Sequence, residues 1–165
     1  MPGCGKSTVG VVLAKILGYD FVDCDIVIQN KYQKKLWQLI GELGCEDFIS
    51  LEDKTLSGIE CDASIIATGG SAVYGEGAMK HLSSLGLVVY LSLPLEKVIE
   101  HIGGTGRSRG VVYRGGADID SLYRERTPLY EKYADVTIDC SELSVMEAAK
   151  RIEEAALELF RLDTE

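Results

Sequence analysis

The segment Gly3-Cys4-Gly5-Lys6-Ser7-Thr8 sets two glycines, a lysine and two hydroxyls within six residues. Together with Pro2 it matches the later part of the phosphate-binding loop G-x-x-x-x-G-K-[ST]. In such a loop the backbone N–H groups of a glycine-rich turn cradle phosphate oxygens. The lysine reaches the β/γ-phosphates and the hydroxyl holds Mg²⁺. A helix opening directly after the loop adds its N-terminal dipole to the same anion site. A plain glycine turn with a helix cap would explain the glycines and Ser7, but not Lys6. Cys4 sits where a helix N-terminus lowers a thiol's pKa, although a small residue at a variable loop position is an equal reading.

Asp23-Cys24-Asp25 supplies two carboxylates. At the end of a strand their side chains would project to one side, because strand side chains alternate with period two. One carboxylate suits Mg²⁺ held through water and the other suits a hydroxyl proton. A solvated strand end is the plainer alternative. Thr68-Gly69-Gly70-Ser71 follows another short apolar run, and Arg107, Arg109 and Arg114 lie in a stretch with six glycines between 103 and 118.

The elements that must position these groups follow from hydrophobic spacing. Val9, Val12, Leu13 and Ile16 predict a helix over Lys6–Leu17, stopped by Gly18. A strand is expected over 19–25, helices over 26–35, 36–41 and 46–60, a buried strand over 64–67 and a helix over 77–84. A strand over 87–93 runs into Pro94, which suits the first turn of a helix reaching His101. The stretch 103–118 reads as a surface lid. A helix interrupted at Pro128 is expected over 119–133, a last strand over 136–138, and an amphipathic helix from Ser144 whose pairing with Glu147 has the spacing of a capping box. Strands alternating with helices imply a three-layer α/β fold with a parallel sheet. Ligands bind beyond the carboxyl ends of such strands, where Asp23, Asp25, Gly69 and Gly70 all fall.

At 165 residues the chain is a single domain, 1–165, with ordinary hydrophobic (46%) and charged (26%) content. A net charge of -9 argues against nucleic acid or a membrane surface as partner. No apolar run approaches the roughly 18 residues a membrane span needs. Five scattered cysteines without a C-x-x-C pair suit reduced thiols. A cytoplasmic protein acting on a small-molecule substrate is expected. His81 and His101 have no metal-ligand partners in the sequence and read as surface residues.

The order of phosphate loop, Phe21-Val22-Asp23-Cys24-Asp25, Ile66-Ala67-Thr68-Gly69-Gly70, arginine-bearing lid and Arg126-Thr127-Pro128-Leu129-Tyr130 resembles the shikimate kinase family. The resemblance implies a P-loop kinase fold and transfer of a phosphoryl group from ATP, with Mg²⁺, to the 3-hydroxyl of shikimate by a monomer. It implies that Gly3, Cys4, Gly5, Lys6 and Thr8 bind the phosphates and that Ser7 and Asp23 serve the metal. Asp25 would bind the acceptor hydroxyls and help activate one of them. Gly69 and Gly70 would let the acceptor approach the backbone closely. Arg126 would pair with the acceptor's carboxylate, the alternative being an ordinary surface arginine on its helix. Arg109 would be the lid arginine that steadies charge on the transferring phosphate, with Arg107 next in line. The helical segment 26–60 would bind the acceptor. The strand that delivers the chain to the loop is expected upstream of Met1, and its absence is expected to lower stability.

Four positions depart from the family's pattern. Ile49, in Phe48-Ile49-Ser50-Leu51-Glu52, stands where a second carboxylate-binding arginine is expected, a loss on the order of 2–4 kcal/mol of binding. Glu52 and Asp53 would make that surface less hospitable to an anion. Ser71 replaces a third glycine, and Arg109-Gly110-Val111-Val112 replaces arginine followed by proline and two leucines. His101 stands where an arginine packs on the adenine. A kinase for another hydroxylated metabolite such as gluconate, or a non-catalytic nucleotide-binding paralogue, are the competing expectations.

Overall fold

The computed structural model describes residues 1–102, 112 and 118–162. Gly5 starts α1 (Lys6–Leu17) and Gly18 ends it, both with left-handed φ (82° and 70°). Side chains rarely adopt that conformation, so glycine fixes both ends of the helix. Val9, Gly10, Leu13 and Ala14 form its buried face.

β1 (Asp20–Asp23) is shorter than the strand expected over 19–25. The Asp23 carboxylate accepts hydrogen bonds from the N–H groups of Asp25 (3.0 Å) and Ile26 (3.3 Å). It thereby caps α2 (Cys24–Tyr32) and turns the chain two residues early. Asp25 thus belongs to a helix, and strand alternation does not relate it to Asp23.

α3 (Leu36–Leu43) and α4 (Cys45–Leu56) follow, the latter ending before the expected Glu60 at Ser57-Gly58. β2 (Ser64–Ala67), a 3₁₀ turn over Ala72–Tyr74, α5 (Glu76–Leu85) and β3 (Val89–Ser92) come next. α6 (Leu95–Ile102) starts from Pro94, whose carbonyl accepts from Val98 N–H at 3.1 Å. α7 (Ile119–Tyr133) passes through Pro128 without the expected interruption. Leu122, Arg126 and Tyr130, spaced by four, are buried along one face and hold it to the body. β4 (Val136–Asp139) leads to α8 (Val145–Leu162), whose capping box forms as expected between Ser144 and Glu147.

Both strand pairs are parallel. β1 pairs with β2 in the register Val22↔Ile66, and β3 with β4 in the register Leu91↔Ile138. Among the described residues, the expected single sheet is two separate two-stranded ladders. One apolar cluster joins α1, β3, β4, α7 and α8 around Leu13, Leu91, Val98 and Ala149. A second lies among α2, α3, α4 and α5 around Ile28, Phe48, Leu56 and Ala78, and includes Val112. Arg107, Arg109 and Arg114, with most of the expected lid, lie outside the described residues.

Candidate active site

A cavity of about 920 Å³ opens where the phosphate loop, α2, α4, α7 and the segment after β2 converge. Gly3, Gly5, Lys6, Ser7, Thr8, Asp25, Gly69, Gly70 and Arg126, all singled out in the sequence, line it.

The loop side is built from backbone. Gly3 and Gly5 both hold left-handed φ (78° and 82°). Gly5 makes no side-chain cap, and its carbonyl takes the first helical N–H from Val9 at 2.8 Å. The N–H groups at the head of α1 therefore lack intrahelical partners and face the cavity, which makes an anion site. Lys6 folds over the loop, its Nζ donating to Met1 O at 2.7 Å and lying 3.7 Å from Cys4 Sγ. Cys4 itself is buried and donates to Met1 O at 3.0 Å. It supports the loop from behind and is absent from the cavity's lining.

His101 closes the other flank of the loop. Its Nδ1 lies 2.9 Å from Gly3 O. Since a carbonyl only accepts, Nδ1 carries the hydrogen. His101 is exposed, as the sequence predicts, but it also holds the loop and lines the cavity. The contact spans 98 residues, so no local pattern announces it.

Ser7 Oγ donates to Asp23 Oδ2 at 2.8 Å. These two hard oxygen donors come from the helix head and the end of β1. Such a pair fits Mg²⁺, which is commonly held by one or two carboxylates plus phosphate oxygens rather than by a complete protein cage. Among the described residues, no group of three or more His, Cys, Asp or Glu is placed to hold a metal ion.

The acceptor side centres on Gly69 and Gly70. A Cβ on Gly69 would lie 2.6 Å from Glu52 Oε1 and 2.9 Å from Asp25 Oδ1, so two carboxyl groups close on one glycine. Burial, and then the Asp23 carboxylate, push the Asp25 carboxyl above its usual range, against the pull of Lys6. Glu52 is buried (1% exposed) and its Oε2 has no hydrogen-bond partner. Burial raises its carboxyl to about 7, and the charge of Asp25 adds to the rise. A bond with Ser71 and the charge of Arg126 work the other way.

Gly70 is held by two residues one turn apart on α7. A Cβ there would lie 3.0 Å from Arg126 Nη1, and Tyr130 donates its hydroxyl to Gly70 O at 2.7 Å. Arg126, also 1% exposed, donates from Nε to Tyr74 OH at 3.1 Å and from Nη2 to Val112 O at 2.7 Å. Its carbon Cζ lies 5.0 Å from the centre of the Tyr74 ring. This arginine is a fixed part of the site and not a surface residue.

Ile49 and Asp53 differ from expectation. Ile49 packs with Phe48 in the apolar cluster of α2 to α5 and does not line the cavity. Asp53 is turned away from the acceptor side, and its Oδ1 accepts from Ala78 N–H at 2.6 Å in the first turn of α5. Lys35, at the start of α3, lines the cavity and, among the described residues, brings its Lys and Arg side chains to three with Lys6 and Arg126.

The chain matches the family model described as Shikimate kinase over residues 2–157. A shikimate kinase of Clostridium botulinum is 38% identical over 133 residues, covering 80% of this chain and 79% of that protein. The solved shikimate kinase of Acinetobacter baumannii, in complex with shikimate, superposes with a TM-score of 0.79 at 28% identity. It covers 94% of this chain and 88% of its own. The shikimate kinase of Aquifex aeolicus gives a TM-score of 0.77 at 29% identity, covering 96% and 92%.

Proposed function

The chain belongs to the shikimate kinase family, and on that premise we propose that it transfers the terminal phosphoryl group of ATP to a hydroxyl of shikimate. The observation that carries this reading is that one cavity joins a phosphate loop to Asp25, Gly69, Gly70 and Arg126. A nucleotide-binding protein without an acceptor needs only the first of these.

The loop N–H groups and Lys6 bind the phosphate oxygens and fix the donor, which is most of what phosphoryl transfer asks of a protein. Ser7 and Asp23 are the residues we assign to Mg²⁺. When bound, the ion would neutralise charge developing on the phosphate oxygens. Arg126, through Nη1, faces the acceptor's carboxylate beside Gly70. Lys35 adds a second cation on that side, in place of the arginine expected at position 49. Both glycines admit the acceptor against the backbone.

Asp25 receives the proton of the attacking hydroxyl as the new oxygen–phosphorus bond forms and the bond to the leaving ADP oxygen breaks. Its raised affinity for a proton suits that role. Glu52, raised to about 7, is only partly ionised near neutral pH. The pocket around Gly69 therefore need not bear two full negative charges beside an anionic acceptor. Arg109 remains our assignment for the lid arginine. We further propose that the protein acts as a cytoplasmic monomer. Among the described residues, no helix is long and apolar enough to cross a membrane.

The test is ADP release with ATP, Mg²⁺ and a panel of acceptors. Shikimate-dependent release that exceeds release with gluconate is the expected result. ATP binding without turnover on any acceptor would move the chain to a binding role, and faster turnover of gluconate would replace the acceptor.

A further inference from the structure

A guanidinium can meet a carboxylate along either of two edges, one carrying Nε and Nη2 and the other carrying Nη1 and Nη2. The edge that Arg126 offers decides where the acceptor's ring, and with it the reacting hydroxyl, comes to lie. That edge is fixed from outside the cavity. Tyr74 does not line the cavity. Its hydroxyl oxygen nevertheless lies 3.1 Å from Arg126 Nε, and its ring centre lies 5.0 Å from Cζ.

Tyr74 stands on a firm support. It ends the 3₁₀ turn that follows Gly69-Gly70-Ser71, and its N–H donates to Ser71 O at 3.0 Å. Ala72 and Val73, just before it, are both buried, but in different apolar clusters. The turn is thereby pinned between the two halves of the core. Two hydrogen bonds then join it to one face of α7. Tyr130 donates to Gly70 O at 2.7 Å, and Arg126 donates to Tyr74. Gly70 and Tyr74 are four residues apart, as are Arg126 and Tyr130. The bond that holds the acceptor's glycine and the bond that aims the arginine are thus neighbours.

The tyrosine hydroxyl has a single hydrogen to give. Burial first, and also a hydrogen bond with Glu125, push its pKa up, while the bond and charge of Arg126 pull it down. Its hydrogen goes to the Glu125 carboxylate, which leaves the oxygen to accept from Nε. Linked bonds of this kind reinforce one another. On the far side of the guanidinium, Nη2 donates to Val112 O at 2.7 Å, and a Cβ on Gly70 would lie 3.0 Å from Nη1.

We propose, on the reading that Arg126 takes the acceptor's carboxylate, that Tyr74 is a positioning residue which occupies the Nε edge of Arg126 and so turns Nη1 toward the acceptor beside Gly70. With Ile49 packed in the apolar cluster and away from the cavity, the aim of Arg126 matters all the more.

Tyr74→Phe keeps the ring against the guanidinium and removes only the hydroxyl. It should raise KM for shikimate about tenfold and KM for ATP by less than twofold. In an Arg126→Lys background, which has no Nε edge, the same change should add less than twofold to KM for shikimate. A tyrosine that only stabilises the fold would lower the melting temperature and leave both KM values alone. The Arg126 Nε–H is also read by NMR without any ligand, so that this arm is independent of the acceptor. Its exchange with water should be at least tenfold slower than at the exposed Arg124 and Arg151, and Tyr74→Phe should bring it close to theirs. Slow exchange abolished by Tyr74→Phe, in a protein that turns over no shikimate, upholds the grip of Tyr74 on Arg126 and overturns shikimate as acceptor. An unchanged KM for shikimate in an active Tyr74→Phe protein, or equal rises in both KM values, overturns the proposal. So does Nε–H exchange in the 165-residue chain as fast as at the exposed arginines, a result that needs no variant to fold.

Discussion

Ser7 donates its hydroxyl hydrogen to one oxygen of Asp23 across 2.8 Å, while the other oxygen of that carboxylate caps α2. One side chain thus joins the head of α1, the end of β1 and the start of the helix that carries Asp25. The two duties separate by chemistry: capping needs an oxygen, whereas holding a divalent cation needs charge.

Asp23→Asn should therefore leave stability nearly unchanged, since asparagine caps as well as aspartate. It should raise the Mg²⁺ concentration needed for half-maximal activity at least tenfold. Asp23→Ala should do the same and also cost about 1 kcal/mol of stability. Thermal melts and Mg²⁺ titrations of both variants check this, and an Asn variant that melts as low as the Ala variant would contradict it.

Glu52 makes stability depend on pH in a defined direction. Its carboxyl ionises near 4.5 when unfolded and at about 7 when folded. Both states are protonated below pH 4.5, and the folded form has its full advantage there. Between pH 4.5 and 7 the unfolded chain gives up this proton first, so stability falls as pH rises, then levels above 7. The decline attributable to Glu52 is on the order of 3 kcal/mol. Glu52→Gln should remove it, and parallel denaturation curves of the two proteins from pH 4.5 to 8 would show that Glu52 is not its source.

Gly69 has no room for a side chain. Gly69→Ala would force a methyl group against Glu52 Oε1 and Asp25 Oδ1, at 2.6 and 2.9 Å. Displacing the proton acceptor by even an ångström costs on the order of 100-fold in rate. A fall of that size in kcat/KM with ATP binding retained is expected. Calorimetric titration with nucleotide alone separates this outcome from misfolding.

Much of this site was legible because its chemistry leaves few substitutes. Lys6 after a glycine, Asp23 with Asp25, and paired glycines after an apolar run are forced by phosphate, proton transfer and close approach. What stayed hidden was decided by tertiary packing. The sequence sets Glu52 near the acceptor but does not show its burial, as α4 turns it inward with Phe48 and Leu56. Asp53, one residue on, looked hostile to an anion and instead caps α5. β1 is shorter than the sequence predicts because alternation and helix capping compete at Asp23, and the cap prevails.

Arg126→Lys keeps the charge but not the planar fork that reaches Tyr74 and Val112 while facing Gly70. Hydrogen bonds to a charged group contribute about 1.5–3 kcal/mol each, so losing one or two should raise KM for shikimate roughly 10- to 100-fold. KM for ATP should move less, because the hydrogen bonds of Arg126 go to Tyr74 and Val112 and not to the loop. Equal effects on both substrates would remove Arg126 from the acceptor side.

Ile49 decides how the missing arginine is understood. A position in contact with the acceptor should change KM when altered, while a core position should change stability. Ile49 is 7% exposed within the cluster of Phe48, Ile28 and Leu39, and the cavity does not reach it. Ile49→Ala should thus cost about 2–5 kcal/mol of stability, the usual effect of emptying a packed aliphatic site. KM for shikimate should stay within twofold, because Ile49 does not line the cavity. Denaturant melts read the first quantity and steady-state kinetics at a temperature well below the melt read the second. A stable variant with a changed KM would return position 49 to the acceptor site.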